Sequence, residues 1–412
     1  MAVLAQLRSA GQIAYFAGGC VRDELLGIPP KDFDVATDAP PTRVRELFRN
    51  TQAVGAAFGV ILVRQGESIV EVATFRSDDV YLDGRRPSKV HFTNAEEDAR
   101  RRDFTINGLF LDPVENKVID YVGGQQDLKA RILRAIGEPA ARLAEDHLRL
   151  LRAVRFAARF DLKIDPATAA AIQSRAPQLK SISPERIAEE LRLMLAPATR
   201  NTAWRLLNQF GLIEIIFRFD SPVSASPLDP SASIFLDLGE ERVPLGLALA
   251  AMTISCHGDV LASIESRRVK SATRALRQAL RFSNAEADDL SLTLHGLDMV
   301  LTDPPPRLAV MKRFLARSTA PLSRRLLRAI AAAGLLRERI EPLERKLEEL
   351  SSTEFAPPPL LTGDELVAAG LSPGRLFKRI LDEVYDAQLE GRVTTRQAAL
   401  EHGLQIAAES KS

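Results

Sequence analysis

The feature of this chain that most constrains its fold is a change of pattern near residue 125. Before it, short β-branched runs at residues 60–63, 68–74 and 117–121 alternate with helix-like stretches such as residues 42–49, which Thr42 would cap. Beyond it the strand-like runs stop, and Ala, Leu, Arg and Glu recur at helical spacing, interrupted by prolines. The sequence therefore predicts an α+β protein with a small mixed α/β head domain and an all-helical remainder.

The composition limits the class of protein. The chain has 412 residues, 46% hydrophobic and 26% charged, which indicates a globular protein with more than one core. Two cysteines, Cys20 and Cys256, are too few for a disulfide framework or a thiolate zinc site and suit a reducing compartment. No uninterrupted apolar run reaches the ~18 residues of a membrane helix, and residues 1–10 lack the apolar stretch of an export signal. We therefore expect a cytoplasmic protein with no membrane partner.

Two aspartates one residue apart, Asp32 and Asp34, indicate a metal site. In extended backbone, residues i and i+2 point to the same side, so both carboxylates can converge. Two such anions repel each other unless a cation lies between them. Mg²⁺ is the divalent metal that combines carboxylates with water and substrate phosphates. A solvated strand edge is the alternative.

A glycine turn precedes this pair and indicates a phosphate site. A predicted apolar strand at residues 13–17 leads into Gly18 and Gly19, where backbone N–H groups can approach a phosphate. Arg22 adds a cation, and a short helix around residues 24–27 would precede the strand that carries the aspartates. Either feature alone is most often an ordinary turn or edge, but together they favour a metal and triphosphate site.

These motifs resemble a known family. The run Gly18-Gly19-x-Val21-Arg22-Asp23, then Leu26-Gly27, then Asp32-Phe33-Asp34 with Thr37, resembles the head-domain signature of the class II nucleotidyltransferases. That family comprises the bacterial tRNA CCA-adding enzymes and poly(A) polymerases. The resemblance implies a nucleotidyltransferase head at residues 1–125, a helical neck at 126–200, a helical body at 201–300 and a helical tail at 301–412. It implies Asp32 and Asp34 as catalytic ligands of Mg²⁺, with Gly19 and Arg22 at the nucleotide.

Glu71 is a candidate third carboxylate. Alternation along its predicted strand places Glu71 and Ala73 on one face and Val70 and Val72 on the other. An exposed strand residue is the alternative. The resemblance places Glu71 close to the catalytic site, with a less secure part in metal binding. The polar segment that follows, residues 77–92, predicts a mobile loop and resembles the flexible loop of complete CCA-adding enzymes.

Residues 101–108, with the sequence RRDFTING, form the second motif. In a helix that starts near Asp103, Asp103 and Asn107 would share a face and could hydrogen-bond a ribose, while Arg102 could reach phosphates. A helix cap with surface arginines is the alternative. The resemblance implies that Arg102 and Asp103 contact the incoming nucleotide, with Asp103 and Asn107 at its sugar.

The third motif is a polar set that would follow one side of a single helix: Glu145, Asp146, Arg149, Arg152 and Arg155. A salt-bridged surface helix gives the same pattern. An Asp and an Arg one turn apart also offer an acceptor and a fork of donors, which suit the edge of cytosine or adenine. By resemblance, Asp146 and Arg149 read the base, and Arg152 and Arg155 hold the motif or the phosphates. A helix capped by Ser183, with Pro184 at its first position, would support this motif.

A basic span is the candidate RNA surface. Residues 307–340 contain nine basic residues and one acid, Glu338. A solvated helical face is the alternative. Four arginines of this span are the candidate tRNA contacts: Arg317, Arg324, Arg325 and Arg328. His257 with Asp259 lacks the further histidines that a phosphohydrolase site needs.

The sequence therefore predicts a CCA tRNA nucleotidyltransferase, with tRNA, CTP and ATP as partners and Mg²⁺ as cofactor. It would add CMP, CMP and AMP to the tRNA 3′ end and release pyrophosphate. A poly(A) polymerase, or a relative that adds only CC or only A, is the enzymatic alternative. Poly(A) polymerases of the family tend to have an arginine-rich stretch where this chain has residues 56–61, which favours tRNA. A catalytically silent RNA-binding protein is the alternative from another class.

Overall fold

The computed structural model describes residues 1–53, 59–78, 90–217 and 234–409. The chain divides into two compact units, Met1–Arg218 and Phe219–Ser412. Residues 221–233, whose three prolines and five serines predict a linker, lie outside the described residues, as do residues 56–58 of the stretch that bears on poly(A) polymerases. The four-part division at residues 125, 200 and 300 stays a prediction.

The first unit is built on a seven-stranded sheet with the order β3-β4-β5-β2-β1-β8-β9. β2 and β5 run parallel, and the other neighbours in this sheet are antiparallel. The strands are β1 Ala14–Ala17, β2 Val35–Thr37, β3 Thr51–Ala53, β4 Val60–Gln65, β5 Ser68–Thr74, β8 Leu109–Asp112 and β9 Lys117–Asp120. The predicted mixed head is therefore confirmed, and the predicted strands at residues 60–63, 68–74 and 117–121 are β4, β5 and β9.

One face of this sheet packs against helix α4, Ala95–Arg100. Ala17, Ala36 and Phe110 contact Ala95 and Ala99 of α4 in one buried cluster. The small alanines let the helix approach the sheet closely, and Arg102, which follows α4, lies against Gly18 just after the end of β1.

Most of the first unit beyond the sheet is helical. Its helices are α1 Ala2–Ser9, α2 Gly19–Leu25, α3 Pro41–Leu47, α4 Ala95–Arg100, α5 Gly124–Ala130, α6 Pro139–Glu145, α7 Arg149–Phe160, α8 Pro166–Arg175, α9 Pro184–Met194, α10 Pro197–Gln209 and α11 Leu212–Phe217. Short 3₁₀ turns lie at Thr105–Asn107 and Ala176–Ser181. The predicted helix after Ser183 is confirmed as α9.

The prediction that strands stop near residue 126 is wrong in one detail. β10 Ile132–Leu133 and β11 Lys163–Ile164 form a two-stranded parallel sheet. Each strand is two residues long, too short to show a period in the sequence. The pairing depends on the backbone bond from Lys163 N–H to the carbonyl of Arg131, at 2.8 Å, which a local pattern cannot anticipate.

Three other local predictions need correction. Thr42 does not cap α3, because Pro40 occupies that position and the helix has no side-chain cap. The helix predicted at residues 24–27 begins earlier, at Gly19, since Gly18 has a φ of 69° and its carbonyl accepts from Arg22 N–H. The loop predicted at residues 77–92 begins and ends in paired strands, β6 Arg76–Asp78 and β7 Val90–Phe92, and residues 79–89 lie outside the described residues.

The described part of the second unit is helical. Its helices are α12 Leu245–His257, α13 Val260–Ile264, α14 Ser266–Leu280, α15 Asn284–Val300, α16 Leu308–Leu315, α17 Ala320–Ala332, α18 Arg337–Ser351, α19 Gly363–Ala368, α20 Arg375–Leu389 and α21 Arg396–Glu409. α12 is buried along its length and packs on α15, where Gly246 lies so close that a Cβ would be 2.5 Å from the Cβ of Asp289. Asp259 caps α13, which is a structural role. Within the described ranges, the structure has no helix long and apolar enough to cross a membrane.

Candidate active site

A cavity of about 510 Å³ lies in the first unit, beside the turn from β1 to α2. Eight of its lining residues are arginines and three are aspartates. The lining residues are Gly18, Gly19, Arg22, Asp34, Arg101, Arg102, Asp103, Asn107, Asp146, Leu148, Arg149, Arg152, Arg155, Phe156, Arg159 and Arg186. The fold thus brings ten of the predicted site residues to one cavity, although they come from four separate motifs. Asp32 and Glu71 do not line it.

The glycine turn opens directly onto this cavity. A Cβ on Gly18 would lie 2.7 Å from Nη1 of Arg102, so a larger residue would displace that arginine. Gly18 has a positive φ and precedes α2, whose first residue, Gly19, also lines the cavity. Glycine is therefore required here both for backbone conformation and for space.

Arg22 is held in place by its neighbours. Its Nε and Nη2 donate to Oδ1 of Asp23 at 2.8 and 2.6 Å, and its Nη1 donates to Oδ1 of Asn107 at 2.5 Å. The guanidinium also lies 4.3 Å from the centre of the Phe160 ring. Burial lowers the pKa of Arg22, although the Asp23 carboxylate opposes this effect. Arg22 joins α2 to the 3₁₀ turn and to α7, and its predicted contact with the nucleotide stays a prediction.

Asp34 is the one predicted metal ligand that lines the cavity. It precedes β2, so the prediction that both aspartates lie within a strand is wrong, although the carbonyl of Asp34 still accepts from Ala17 N–H at 3.0 Å. Burial raises the pKa of Asp34; Arg102 opposes this shift, and the negative charge of Asp32 adds to it. Asp32 is exposed and lines a second cavity.

Glu71 lies beside Asp34 because β2 and β5 pair in parallel with Val35 opposite Val72. Its side chain is exposed, yet its pKa is raised, first by the loss of hydration and then by the charge of Asp34. Among the described residues, no group of three or more His, Cys, Asp and Glu side chains could hold a metal ion. The charge of Asp32 disfavours the ionised form of Asp34, and the charge of Asp34 disfavours that of Glu71, a repulsion that a hard divalent cation would relieve.

Asp98, at the fourth position of α4, orients two of the lining arginines. Its Oδ1 accepts from Nε and Nη2 of Arg101 at 2.9 and 2.7 Å, and its Oδ2 accepts from Nε and Nη2 of Arg102 at 3.2 and 2.9 Å. Burial acts to raise the pKa of Asp98, but the two guanidinium groups outweigh it and the pKa is lowered. Sequence reasoning missed this residue, although the spacing of three and four residues to the arginines was a visible signal.

Asp103 joins the second motif to α7. Its Oδ1 accepts from Nδ2 of Asn107 at 2.9 Å, and its Oδ2 accepts from Nε of Arg152 at 2.8 Å. Burial would raise the pKa of Asp103, but Arg152 and Asn107 lower it to about 2. Asp103 and Asn107 therefore meet, as predicted, but Asn107 ends the 3₁₀ turn Thr105–Asn107 and Asp103 precedes that turn, so the α-helix expected from Asp103 is not formed. Their contact with a sugar stays a prediction.

The third motif is divided between two helices, so the single helix predicted there is wrong. α6 ends at Glu145, Asp146 is extended with a φ of −140° and a ψ of 107°, and α7 begins at Arg149. Oδ1 of Asp146 accepts from Leu148 N–H at 3.0 Å, a local bond that competes with helix continuation.

Asp146 and Arg149 are both engaged by other side chains. Oδ2 of Asp146 accepts from Nη2 of Arg186 at 2.8 Å, and Nη1 of Arg149 donates to Oε2 of Glu145 at 2.5 Å. Nη1 of Arg186 is buried and makes no hydrogen bond with the described residues. Sequence reasoning assigned Arg186 only to a supporting helix, and it assigned no role to Arg101 or to Arg159.

The four candidate tRNA arginines lie in the second unit and have partners there. Arg324 pairs with Glu344 and Glu348, and Arg328 pairs with Glu344. Arg325 donates to the carbonyl of Leu238 at 2.8 Å, and Arg317 donates to Sδ of Met299 at 3.2 Å. Their role in RNA binding stays a prediction, but acids outside the basic span neutralise part of its charge.

Two family descriptions match the chain. Residues 14–134 match "Poly A polymerase head domain", and residues 161–221 match "Probable RNA and SrmB- binding site of polymerase A". The first contains the glycine turn, the aspartate pair and the second motif. The second contains α9 with Arg186.

Known proteins with similar sequences include CCA-adding enzymes and poly(A) polymerases. A CCA-adding enzyme of Streptococcus sanguinis is 46% identical over 216 residues, which are 52% of this chain and 54% of that protein. A poly(A) polymerase I of Salmonella typhi is 43% identical over 226 residues, which are 52% of this chain and 49% of that protein. The chain thus spans about half the length of the curated relatives that it matches.

A solved structure extends the likeness of the fold to the whole chain. The CCA-adding enzyme of Bacillus stearothermophilus in complex with CTP is 27% identical, with a TM-score of 0.74. The match covers 100% of this chain and 97% of that one. The predicted fold class, a mixed head followed by helices, is confirmed.

Proposed function

We propose that the chain belongs to the family of the bacterial CCA-adding enzymes and poly(A) polymerases, which its residues 14–134 and 161–221 match, and we derive its function from that premise. The proposed reaction is the addition of CMP, CMP and AMP to the 3′ end of tRNA, with CTP and ATP as substrates and without a nucleic-acid template. The observation that carries this choice is that Asp146 and Arg149 line the same cavity as Asp34 and the glycine turn.

Base selection would follow from the order of acceptor and donor. Each oxygen of Asp146 accepts one bond from the protein, and a carboxylate oxygen can accept a second. The exocyclic amino group of cytosine or adenine would donate to Asp146, and Arg149 would donate to the adjacent ring nitrogen. Uracil and guanine present the reverse order and would leave buried groups unpaired, at about 1 to 3 kcal/mol each.

The triphosphate would lie between the glycine turn and the arginines. The backbone N–H of Gly19 begins helix α2, where the helix dipole favours an anion, whereas Gly18 N–H already donates to the carbonyl of Leu109 at 2.9 Å. Arg102 and Arg152 are fixed by Asp98 and Asp103, so their remaining donors keep a set direction. This arrangement would align the α-phosphorus with the attacking 3′-hydroxyl and the departing pyrophosphate.

A divalent metal ion fits the carboxylates beside this position, and we propose Mg²⁺ held by Asp32 and Asp34, with Glu71 adjacent. When bound, it would lower the charge on the triphosphate and favour ionisation of the attacking hydroxyl. Arg102 supports metal binding, because its positive charge favours the ionised form of Asp34, which is the form that binds a metal ion. Both cysteines are free and buried, which suits the reducing cytoplasm that we propose as the compartment.

The poly(A) polymerases are the second candidate, because a member of that group is 43% identical over half of this chain. The distinguishing experiment is to incubate the chain with tRNA that ends before CCA, giving each of the four nucleotides singly and then CTP with ATP. The 3′ ends are then sequenced. The control is the Asp34→Asn variant under the same conditions.

The proposed function predicts two C residues with CTP alone and a completed CCA end with CTP and ATP together. Long runs of A on any RNA would instead assign the chain to the poly(A) polymerases. RNA binding without any addition would assign it to a catalytically silent binding protein.

A further inference from the structure

Helix α14, Ser266–Leu280, presents a continuous row of cations in the second unit. Arg267, Lys270, Arg274 and Arg277 are spaced by three, four and three residues and are exposed. At about 100° per residue, this spacing places all four within one quarter of the helix circumference. The sequence of α14 contains no acidic residue.

The opposite side of α14 is packed in the core. Its buried residues are Val269, Ala272, Leu276 and Leu280. The helix therefore cannot rotate to hide its cations, and it has no apolar face available for insertion into a lipid surface.

The cations of this row have no acidic partner in the part of the chain that the structure describes. Arg277 donates to the neutral amide oxygen of Asn284 at 2.8 Å, and no ion pair is present for Arg267, Lys270 or Arg274. By contrast, Arg324 in the predicted basic span is held by two glutamates. The charge of α14 is available to a partner, whereas the charge of α17 is largely satisfied within the protein.

The length of the row suits the backbone of a nucleic acid. Ten residues separate Arg267 from Arg277, which is about 15 Å at 1.5 Å per residue. One strand of a B-form duplex places a phosphate about every 3.4 Å along its axis, so a row of this length spans about four phosphates at that spacing. An acidic protein segment lacks this regular spacing, and the exposed side of α14 offers no large apolar side chain for a protein interface.

We propose that the row Arg267, Lys270, Arg274 and Arg277 of α14 binds the phosphate backbone of the RNA on which this chain acts. The inference rests on the proposed function for the identity of that RNA. α14 lies outside both family matches, which end at residue 221. Contacts of this kind hold an RNA in register and carry no base selection.

The test compares two triple variants that remove the same charge. The first is Arg267→Ala with Lys270→Ala and Arg274→Ala. The matched control is Arg43→Ala with Lys346→Ala and Arg379→Ala, three exposed cations that are paired with Glu46, Glu349 and Glu383. Binding of tRNA that ends before CCA is measured between about 50 and 200 mM salt, with thermal unfolding as the check on folding.

We expect the α14 variant to lose about tenfold or more in affinity at the lower salt concentration, and the slope of log affinity against log salt to fall by about 2 to 3. The control should keep the slope of the unmodified chain within about 0.5 and its affinity within about twofold. Binding of CTP alone should be the same in both variants.

The outcomes separate the two proposals. If the unmodified chain does not bind tRNA, the proposed function fails and this inference fails with it. If the chain binds and extends tRNA but the two triple variants have equal slopes, the α14 inference alone is overturned. The α14 inference would also be overturned if the α14 variant lost binding to poly-glutamate or to anionic vesicles while its binding to tRNA stayed unchanged. That result would assign the row to another anionic partner.

Discussion

At the scale of single residues, the buried carboxylate of Asp98 supports two arginines of the cavity. Its replacement by alanine should lower the free energy of unfolding by about 3 to 5 kcal/mol, because two guanidinium groups lose a buried partner. It should also weaken CTP and ATP binding by a common factor, since Arg102 would no longer be held against the glycine turn. Chemical denaturation and nucleotide titration would measure the two effects.

The control for Asp98 lies two residues earlier, on the more exposed side of the same helix. Glu96 pairs with Arg100, and both side chains are about half exposed. Glu96→Ala should change stability by no more than about 0.5 kcal/mol and leave nucleotide binding unchanged. Equal effects of Glu96→Ala and Asp98→Ala would show that burial of Asp98 has no role in positioning the arginines.

Asp34 and Asp32 allow a second prediction at this scale. Asp34→Asn and Asp32→Asn should each lower nucleotide addition by at least about 10² to 10³-fold, because each removes an anionic ligand from the proposed metal site. Affinity for tRNA should remain within a few-fold, since the RNA contacts proposed here lie in α14. Single-turnover rates and filter binding would separate the two quantities, and near-normal turnover in either variant would remove that aspartate from the catalytic set.

At the scale of elements, the break between α6 and α7 separates the two proposed base readers. Asp146→Ala should lower CTP and ATP use by about one to two orders of magnitude, which corresponds to the loss of about 1 to 3 kcal/mol. The variant should also show a smaller preference for CTP and ATP over UTP and GTP. The relevant measurement is kcat/KM for all four nucleotides. A uniform decrease for all four would assign Asp146 to structure alone.

The elements also show where sequence reasoning succeeds. β4 and β5 are runs of six and seven residues that are rich in β-branched side chains, so their positions could be predicted. The glycine turn and the residues of the RRDFTING motif could be assigned to one site because their chemistry is local. The helix through Asp146 could not be predicted correctly, because one side-chain bond to Leu148 N–H overrides a helical pattern.

Long-range ion pairs explain the remaining differences. Arg324 pairs with Glu344, which lies twenty residues later in the chain. The sequence of the basic span therefore suggests an unpaired charge, whereas the structure shows a paired one. The cations of α14 show the opposite case. Their spacing is visible in the sequence, but only the structure shows that they have no acidic partner among the described residues. Sequence pattern alone does not tell these two cases apart.

At the scale of the whole molecule, each compact unit contains one buried cysteine, Cys20 in the first and Cys256 in the second. Burial raises the pKa of both thiols, to about 12 for Cys256. In the folded chain both should react slowly with a thiol reagent at pH 8, and in denaturant both should react at the rate of a free thiol. Single Cys→Ala variants would assign each rate to its unit. Rapid labelling of the native chain would contradict the burial.

The raised pKa of Cys256 makes the stability of the fold depend on pH. A thiol whose folded pKa is raised stabilises the fold fully below the unfolded pKa of about 8.5, and this contribution is lost as pH rises toward the folded value. The free energy of unfolding should therefore fall between pH 8.5 and about 12. The fall should be smaller in the Cys256→Ala variant, as measured by denaturation at a series of pH values.

The carboxylates that hold the arginines of the cavity have a consequence for the thermodynamics of substrate binding. A free arginine side chain loses up to about 2 kcal/mol of rotamer entropy when it is immobilised. Arg22, Arg102 and Arg152 are already immobilised by Asp23, Asp98 and Asp103 before any substrate is present. Most of the rotamer entropy of these arginines is therefore lost when the chain folds and not when a nucleotide binds. Calorimetry should accordingly show only a small unfavourable conformational entropy of nucleotide binding.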